Sequence, residues 1–203
     1  MEDTNCQIFT PTDIGTDLLN WIGYTTKLHG KKILENSCGD GNILKIIVER
    51  YIEDCIHQNM KTQEIKTGIE NDIYGIEIDE IHYSNCIDNL NIVAKKYNLK
   101  NINWKIFNED ALKINLNIKF DFVVGNPPYI KYTSINKSTR DFLKEKFNSC
   151  KKGKFDYCYA FTEMSLNLLN EKGKLGYLIP NSIFKNVFAE ELRNDIKDSL
   201  VSI

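Results

Sequence analysis

The chain has 203 residues, 42% hydrophobic and 27% charged, with a formal net charge of −2; this suits one globular domain with a real core and leaves no overall pull toward nucleic acid, so any basic surface must be local. Its six cysteines form no Cys-x-x-Cys pair and no zinc-finger spacing with histidine, no apolar run approaches the roughly 20 residues that cross a bilayer, and the N-terminus lacks a basic-then-apolar signal. A cytoplasmic, reduced protein with no metal and no membrane contact is expected.

Phe9-Thr-Pro-Thr-Asp-Ile14 opens a helix over 12–23, with Thr10 or Thr12 as its cap, Pro11 in its first turn and Ile14, Leu18, Leu19 and Ile22 at helical spacing. A strand over 32–36 follows, then Ser37-Cys-Gly-Asp-Gly41 and a helix carrying Ile43, Leu44, Ile46, Ile47 and Val48. Strand, glycine turn and helix N-terminus make a corner of the nucleotide-binding kind, because Gly39 and Gly41 let a ligand approach the backbone closely. The third glycine of the dinucleotide fingerprint is missing, and Glu35 would repel a pyrophosphate, so a nicotinamide enzyme is disfavoured. A tight turn that binds nothing is the plain alternative.

Ile73–Ile78 reads as the second strand, with Glu77 and Asp79 at its end and a helix over 80–97 beyond. A carboxylate in Glu77's place accepts from both hydroxyls of a ribose in doubly wound sheets; Asp79 better suits a helix start. The third strand spans 102–107, and Asp110 after it can accept from an adenine amino group, with Ala111 or Leu112 against the ring. Alone, Asp110 is a turn residue.

The fourth strand carries the most information. Asp121-Phe-Val-Val-Gly125 is apolar enough for burial on both faces and runs into Asn126-Pro-Pro-Tyr129. Pro127 and Pro128 donate no ladder bond and hold φ near −65°, so they form a rigid turn of acceptors beside the Tyr129 ring. Such parts can grip a planar group with an exocyclic amine. Between Lys131 and Lys154 eight basic residues, among them Lys131, Lys137, Arg140 and Lys144, face only Asp141 and Glu145. They are phosphate contacts or the solvated face of a helix over 137–147. Tyr157–Leu169 is a core helix, Lys172–Pro180 a hairpin-like turn into a fifth strand over 174–180, and Phe184–Leu200 a last amphipathic helix.

In this order the segments Phe-Thr-Pro (9–11), Leu-Glu-Asn-Ser-Cys-Gly-Asp-Gly (34–41), Gly-Ile-Glu-Ile-Asp (75–79), Asn-Glu-Asp-Ala-Leu (108–112), Gly-Asn-Pro-Pro-Tyr (125–129), Gly-Lys-Phe-Asp-Tyr-Cys-Tyr-Ala-Phe (153–161) and Gly-Tyr-Leu-Ile-Pro-Asn (176–181) cover nearly the whole chain. The chain thereby resembles the gamma-type N6-adenine DNA methyltransferases of restriction-modification systems, in which the methyl-donor motifs come first and target recognition last. The resemblance implies a doubly wound, Rossmann-like α/β fold with a mostly parallel sheet of order 3-2-1-4-5. It implies one catalytic domain over 1–203, with a donor-binding half at 32–112 and a catalytic half at 120–203.

It also implies S-adenosylmethionine bound by Thr10, Glu35, Ser37, Gly39, Glu77, Ile78, Asp110, Ala111 and Phe161. Asn126, Pro127, Pro128 and Tyr129 match the catalytic turn, and the substrate is an adenine flipped out of duplex DNA. Asn36 stands where such enzymes often have proline. The resemblance also implies two further strands and a recognition domain, neither of which is expected within residues 1–203. The 174–180 strand is therefore expected to be an apolar edge covered by a C-terminal recognition domain or a partner chain. Alternative readings are a methyltransferase using the same turn on a protein glutamine or an RNA base, and an inactive donor-binding fragment that needs a partner chain.

Overall fold

The computed structural model describes residues 10–179, together with the helical residues Glu190 and Arg193. Phe9, Pro180, Asn181 and the rest of the helix expected over 184–200 lie outside the described residues.

Five short runs pair into one sheet: β1 (Ile33–Glu35), β2 (Ile73–Glu77), β3 (Lys105–Asn108), β4 (Phe120–Gly125) and β5 (Leu169–Tyr177). Their order is β3-β2-β1-β4-β5, the expected 3-2-1-4-5, and every pairing is parallel. Ile33 of the central strand stands opposite Ile73 on one side and Phe122 on the other. Central strands of parallel sheets are covered on both faces, so all of β1 and β2 is buried. With all strands pointing one way, their carboxyl ends share one edge, and the chain order reverses between β1 and β4.

Two strands depart from expectation. β3 begins at Lys105 rather than 102, since the Asn103 N–H is taken by the Glu70 carboxylate at 2.9 Å and leaves the ladder. No hairpin-like turn precedes β5, which begins at Leu169, parallel to β4 with a register shift between Phe120 and Phe122, and ends at Tyr177. Gly173 permits this close pairing, because a Cβ there would sit 2.8 Å from the Phe120 carbonyl oxygen. The edge is not apolar along this length: Glu171, Lys172 and Lys174 are exposed, a way of discouraging edge-to-edge pairing.

Helix α1 (Thr12–Trp21) has Pro11 as its N-cap with no side-chain cap bond, in place of the expected Thr10 or Thr12. Proline has no N–H to satisfy there. Helices α2 (Asn42–His57) and α4 (Glu80–Lys96) continue a row in which α1 touches α2 and α2 touches α4, over β5, β2 and β3. Helix α3 (Thr62–Asp72) adds to the elements read from sequence, where only Ile65 and Ile69 mark an apolar stripe; the Glu64 carboxylate accepts the Lys61 N–H at 2.8 Å at its start. Its last residue, Asp72, is buried and accepts from the Tyr51 hydroxyl at 2.6 Å and the Gly30 N–H at 2.7 Å.

The described residues fall into two compact units, one of 10–126 with 168–177 and one of 127–167 with 178–179, Glu190 and Arg193. The first holds the sheet. The second contains a 3-10 turn at Tyr132–Ser134, α5 (Lys137–Lys146), a 3-10 turn at Asn148–Cys150 and most of α6 (Tyr157–Leu168). Asn136 caps α5 by accepting the Thr139 N–H, and the buried Glu163 carboxylate accepts the N–H groups of Asn148 and Ser149. Cys38, Cys55, Cys86, Cys150 and Cys158 are unbridged and buried. Among the described residues no helix is long and apolar enough to cross a membrane.

Candidate active site

At the carboxyl edge of the sheet, β1 ends in Glu35 and passes through Asn36 and Ser37 into a loop with Gly39 at φ +50° and Gly41 at φ +78°. Both glycines occupy left-handed backbone, which a side chain disfavours. At Gly41 a Cβ would also strike the Cys86 sulfur at 2.7 Å, whereas at Gly39 it would meet nothing within 4 Å. The loop is thus packed beneath Gly41 and open above Gly39. Glu77, at the end of β2 and 5% exposed, ties it down: one oxygen accepts the Gly39 N–H at 2.7 Å, the other the Asp79 N–H at 3.0 Å.

Glu35 is 2% exposed, and its Oε2 has no hydrogen-bond partner among the described residues. Burial first, then Cys86 and Glu77 nearby, push its carboxyl well above the usual range; only the Leu44 N–H opposes them. A buried acid with an unmet oxygen suits a cation or a donor arriving from outside.

Asp79 caps α4 by accepting the N–H groups of Ile81 and His82, the helix-start role preferred for it. Ile78 is 67% exposed, offering an apolar face next to Glu77. Asp110 accepts the Leu112 N–H at 3.0 Å and pairs with Lys113 at 3.0 Å, beside the buried Ala111. Asp40 of the loop, not singled out from sequence, receives His82 Nδ1 at 2.7 Å and Asn85 at 3.1 Å. The Asp40 bond raises the imidazole's pKa above its ordinary value against a smaller desolvation cost.

Two strand ends away from Glu77, β4 delivers Asn126 to the same edge. Its backbone oxygen accepts the Ser37 hydroxyl at 3.4 Å, and its amide Nδ2 donates to Thr10 Oγ1 at 3.3 Å. Gly125 before it is enclosed: a Cβ would stand 3.2 Å from Asn36 Oδ1 and 3.3 Å from Tyr177 Cε1. Asn36 and Tyr177 themselves join, amide to hydroxyl, at 2.5 Å. Asn36 thus serves as a strut between β1 and β5.

In the second unit Pro127 is buried and Tyr129 half-buried, its hydroxyl donating to the Leu178 carbonyl at 2.6 Å. Burial raises the phenol's pKa. Phe161 is buried in a tilted pair with Tyr157 at 5.6 Å. Arg140 and Lys144 both lie over the Tyr132 ring, at 4.8 and 5.9 Å, and that ring meets Phe155 edge-on. Lys137, Arg140 and Lys144 share one face of α5, and among the described residues none of the three forms an ion pair.

Comparison with known proteins adds to this geometry. The family described as Eco57I restriction-modification methylase matches residues 44–201. The type II methyltransferase M.BstVI of Geobacillus stearothermophilus is 30% identical over 207 aligned positions, covering 95% of this chain and 36% of that relative's length. A protein described as a class I S-adenosylmethionine-dependent methyltransferase from Listeria monocytogenes superposes with a TM-score of 0.66 at 17% identity, over 98% of this chain and 54% of that one. The DrdV–DNA complex gives a TM-score of 0.72 at 14% identity, over 94% of this chain and 22% of that one. The fold is that of the Rossmann-like methyltransferases.

Proposed function

The chain belongs to the Eco57I restriction-modification methylase family, and on that premise we propose that it transfers a methyl group from S-adenosylmethionine to N6 of an adenine flipped out of duplex DNA, in the cytoplasm. The observation that carries the proposal is that parallel strands bring Glu35, Glu77 and Asn126 to one sheet edge within one unit.

The residues fit the donor. Glu35, with its unmet oxygen, suits the donor's positive charge. Glu77 keeps lone pairs for ribose hydroxyls, since a carboxylate accepts about four bonds and two are taken among the described residues. Ile78 and Ala111 suit the adenine ring, Asp110 its amino group, and Ser37 and Gly39 belong to the donor set implied by the resemblance. Bound there, S-adenosylmethionine supplies an electrophilic methyl carbon on a sulfonium.

The chain's own part is to make a poor nucleophile competent. The N6 lone pair is delocalised into the ring. Asn126 accepts one N6 hydrogen on its side-chain oxygen and Pro127 the other on its carbonyl, with Pro128 keeping the turn rigid. The nitrogen is drawn toward tetrahedral geometry, and its lone pair turns to the methyl carbon. No strong base is required first, because the proton leaves readily once the nitrogen carries a fourth bond. The rest is positioning in a dry site. Extruding the base costs a few kcal/mol, and stacking on Tyr129 returns roughly 1–3 kcal/mol. Lys131, Lys137, Arg140 and Lys144 hold the DNA backbone, and a recognition domain or partner chain over β5 reads the sequence.

The test is methyl transfer from labelled donor to duplex DNA, followed by nucleoside digestion, using the chain within its natural polypeptide. N6-methyladenine is expected, and Asn126→Ala is expected to abolish transfer while keeping donor affinity. Methyl groups found on cytosine, on RNA or on protein glutamine would overturn the assignment.

A further inference from the structure

We propose that Thr10 is a positioning residue for Asn126: its hydroxyl holds the edge of the amide and so fixes the plane in which the side-chain oxygen meets the substrate amine. The inference rests on the reading of Asn126 as the acceptor of that amine, and it gives Thr10 work other than the donor contact implied by the resemblance.

Four observations support it, all within one unit. Thr10 is 8% exposed, and Asn126 Nδ2 donates to its Oγ1 at 3.3 Å. The hydroxyl is not spent on α1, since Pro11 takes the cap place and no side-chain cap bond forms. The helix that follows is anchored against the sheet: a Cβ on Gly176 of β5 would lie 2.7 Å from Ile22 and 3.2 Å from Leu18 of α1. Finally, the Asn126 carbonyl is held separately by Ser37 at 3.4 Å. The main chain of Asn126 thus leans on the loop after β1 and its side chain on the residue ahead of the α1 cap. An asparagine has two free torsions, and a strand end fixes neither. An acceptor that must aim at one hydrogen gains from a second restraint, because misplacement of about 1 Å can cost on the order of a hundredfold in rate.

The experiment compares Thr10→Val, which keeps shape and removes the hydroxyl, with Thr10→Ser, which restores it. Two readouts are taken: kcat with KM for S-adenosylmethionine, and the side-chain NH2 resonances of Asn126, assigned by their loss in Asn126→Asp. Thr10→Val is expected to lower kcat about tenfold or more, leave KM for the donor unchanged, and shift the Asn126 pair while speeding its hydrogen exchange. Thr10→Ser is expected to recover both. The resonance arm needs no turnover and decides the matter even for an inactive chain. An unshifted Asn126 pair in Thr10→Val overturns the inference, as does a raised KM for the donor at constant kcat, which would make Thr10 a donor contact. The underlying reading fails in a different way: Asn126→Ala would retain transfer. If Asn126→Ala is dead and Thr10→Val is normal in both readouts, only the positioning role falls.

Discussion

Glu77 accepts the Gly39 N–H at 2.7 Å, so the carboxylate that ends β2 is also what holds the glycine turn after β1. One residue therefore shapes the loop and, in the proposed function, also receives the donor's ribose. Replacing it separates these jobs. Glu77→Gln keeps an oxygen for Gly39 and loses the charge; Glu77→Ala loses both. Donor affinity measured by calorimetry is expected to fall in each variant, while hydrogen exchange of the Gly39 amide is expected to quicken only in Glu77→Ala, whose stability drops by about 1–3 kcal/mol. Equal protection of Gly39 in both variants would contradict the dual role.

Glu35 gives a pH signature. Burial pushes its carboxyl well above the usual carboxylate range; if the cationic donor binds beside it as proposed, that charge favours the ionised form and binding expels a proton. Donor affinity is then expected to rise with pH until Glu35 ionises in the free protein. Calorimetry in buffers of different ionisation enthalpy should show net proton release, and Glu35→Gln should abolish it. Proton uptake on binding would sink this account.

His82 and Asp40 predict a stability dependence of the opposite sense. The bond to Asp40 raises the histidine's folded pKa above about 6.5. A raised folded pKa stabilises the fold fully below the unfolded value, and the contribution is lost as pH climbs through the folded one. Denaturant midpoints of the wild type are expected to decline over that window relative to Asp40→Asn, in which the dependence is flat. A parallel pair of profiles would assign the pH effect elsewhere.

The α5 face predicts a salt effect. Residues 127–167 carry eight basic and four acidic side chains, a net +4 in a chain whose total is −2. If Lys137, Arg140 and Lys144 meet phosphates, alanine at each should flatten the plot of log affinity against log salt by roughly 0.9 for every phosphate no longer neutralised. Binding that weakens without any change of slope would point to packing around Tyr132 instead.

How much of this was legible in the sequence follows from the range of each interaction. The strand order and the positions of Glu77, the glycine loop and Asn126 at strand ends were readable because each is marked by neighbours in the chain: an apolar run, then an acidic residue, a glycine or a proline that ends it. The start of β5 was not, since Asn170–Lys174 is polar and its pairing is set by β4. Gly41 signalled a turn, but the Cys86 sulfur beneath it belongs to another helix. The same limit hid Asn36 with Tyr177 and Asp40 with His82, pairs separated by 141 and 42 positions. A single sequence does not say which distant residues will meet, and the contact of Thr10 with Asn126, 116 positions away, is hidden for the same reason.

The unbridged thiols turn the fold into a chemical stopwatch. With Cys6 replaced by serine, an alkylating reagent can react with Cys38, Cys55, Cys86, Cys150 and Cys158 only when the chain opens. Modification rates read by mass spectrometry would then time two events separately, Cys38 and Cys86 reporting on the glycine loop and Cys150 and Cys158 on the other unit. A ligand that settles on the loop should slow the first clock and leave the second running.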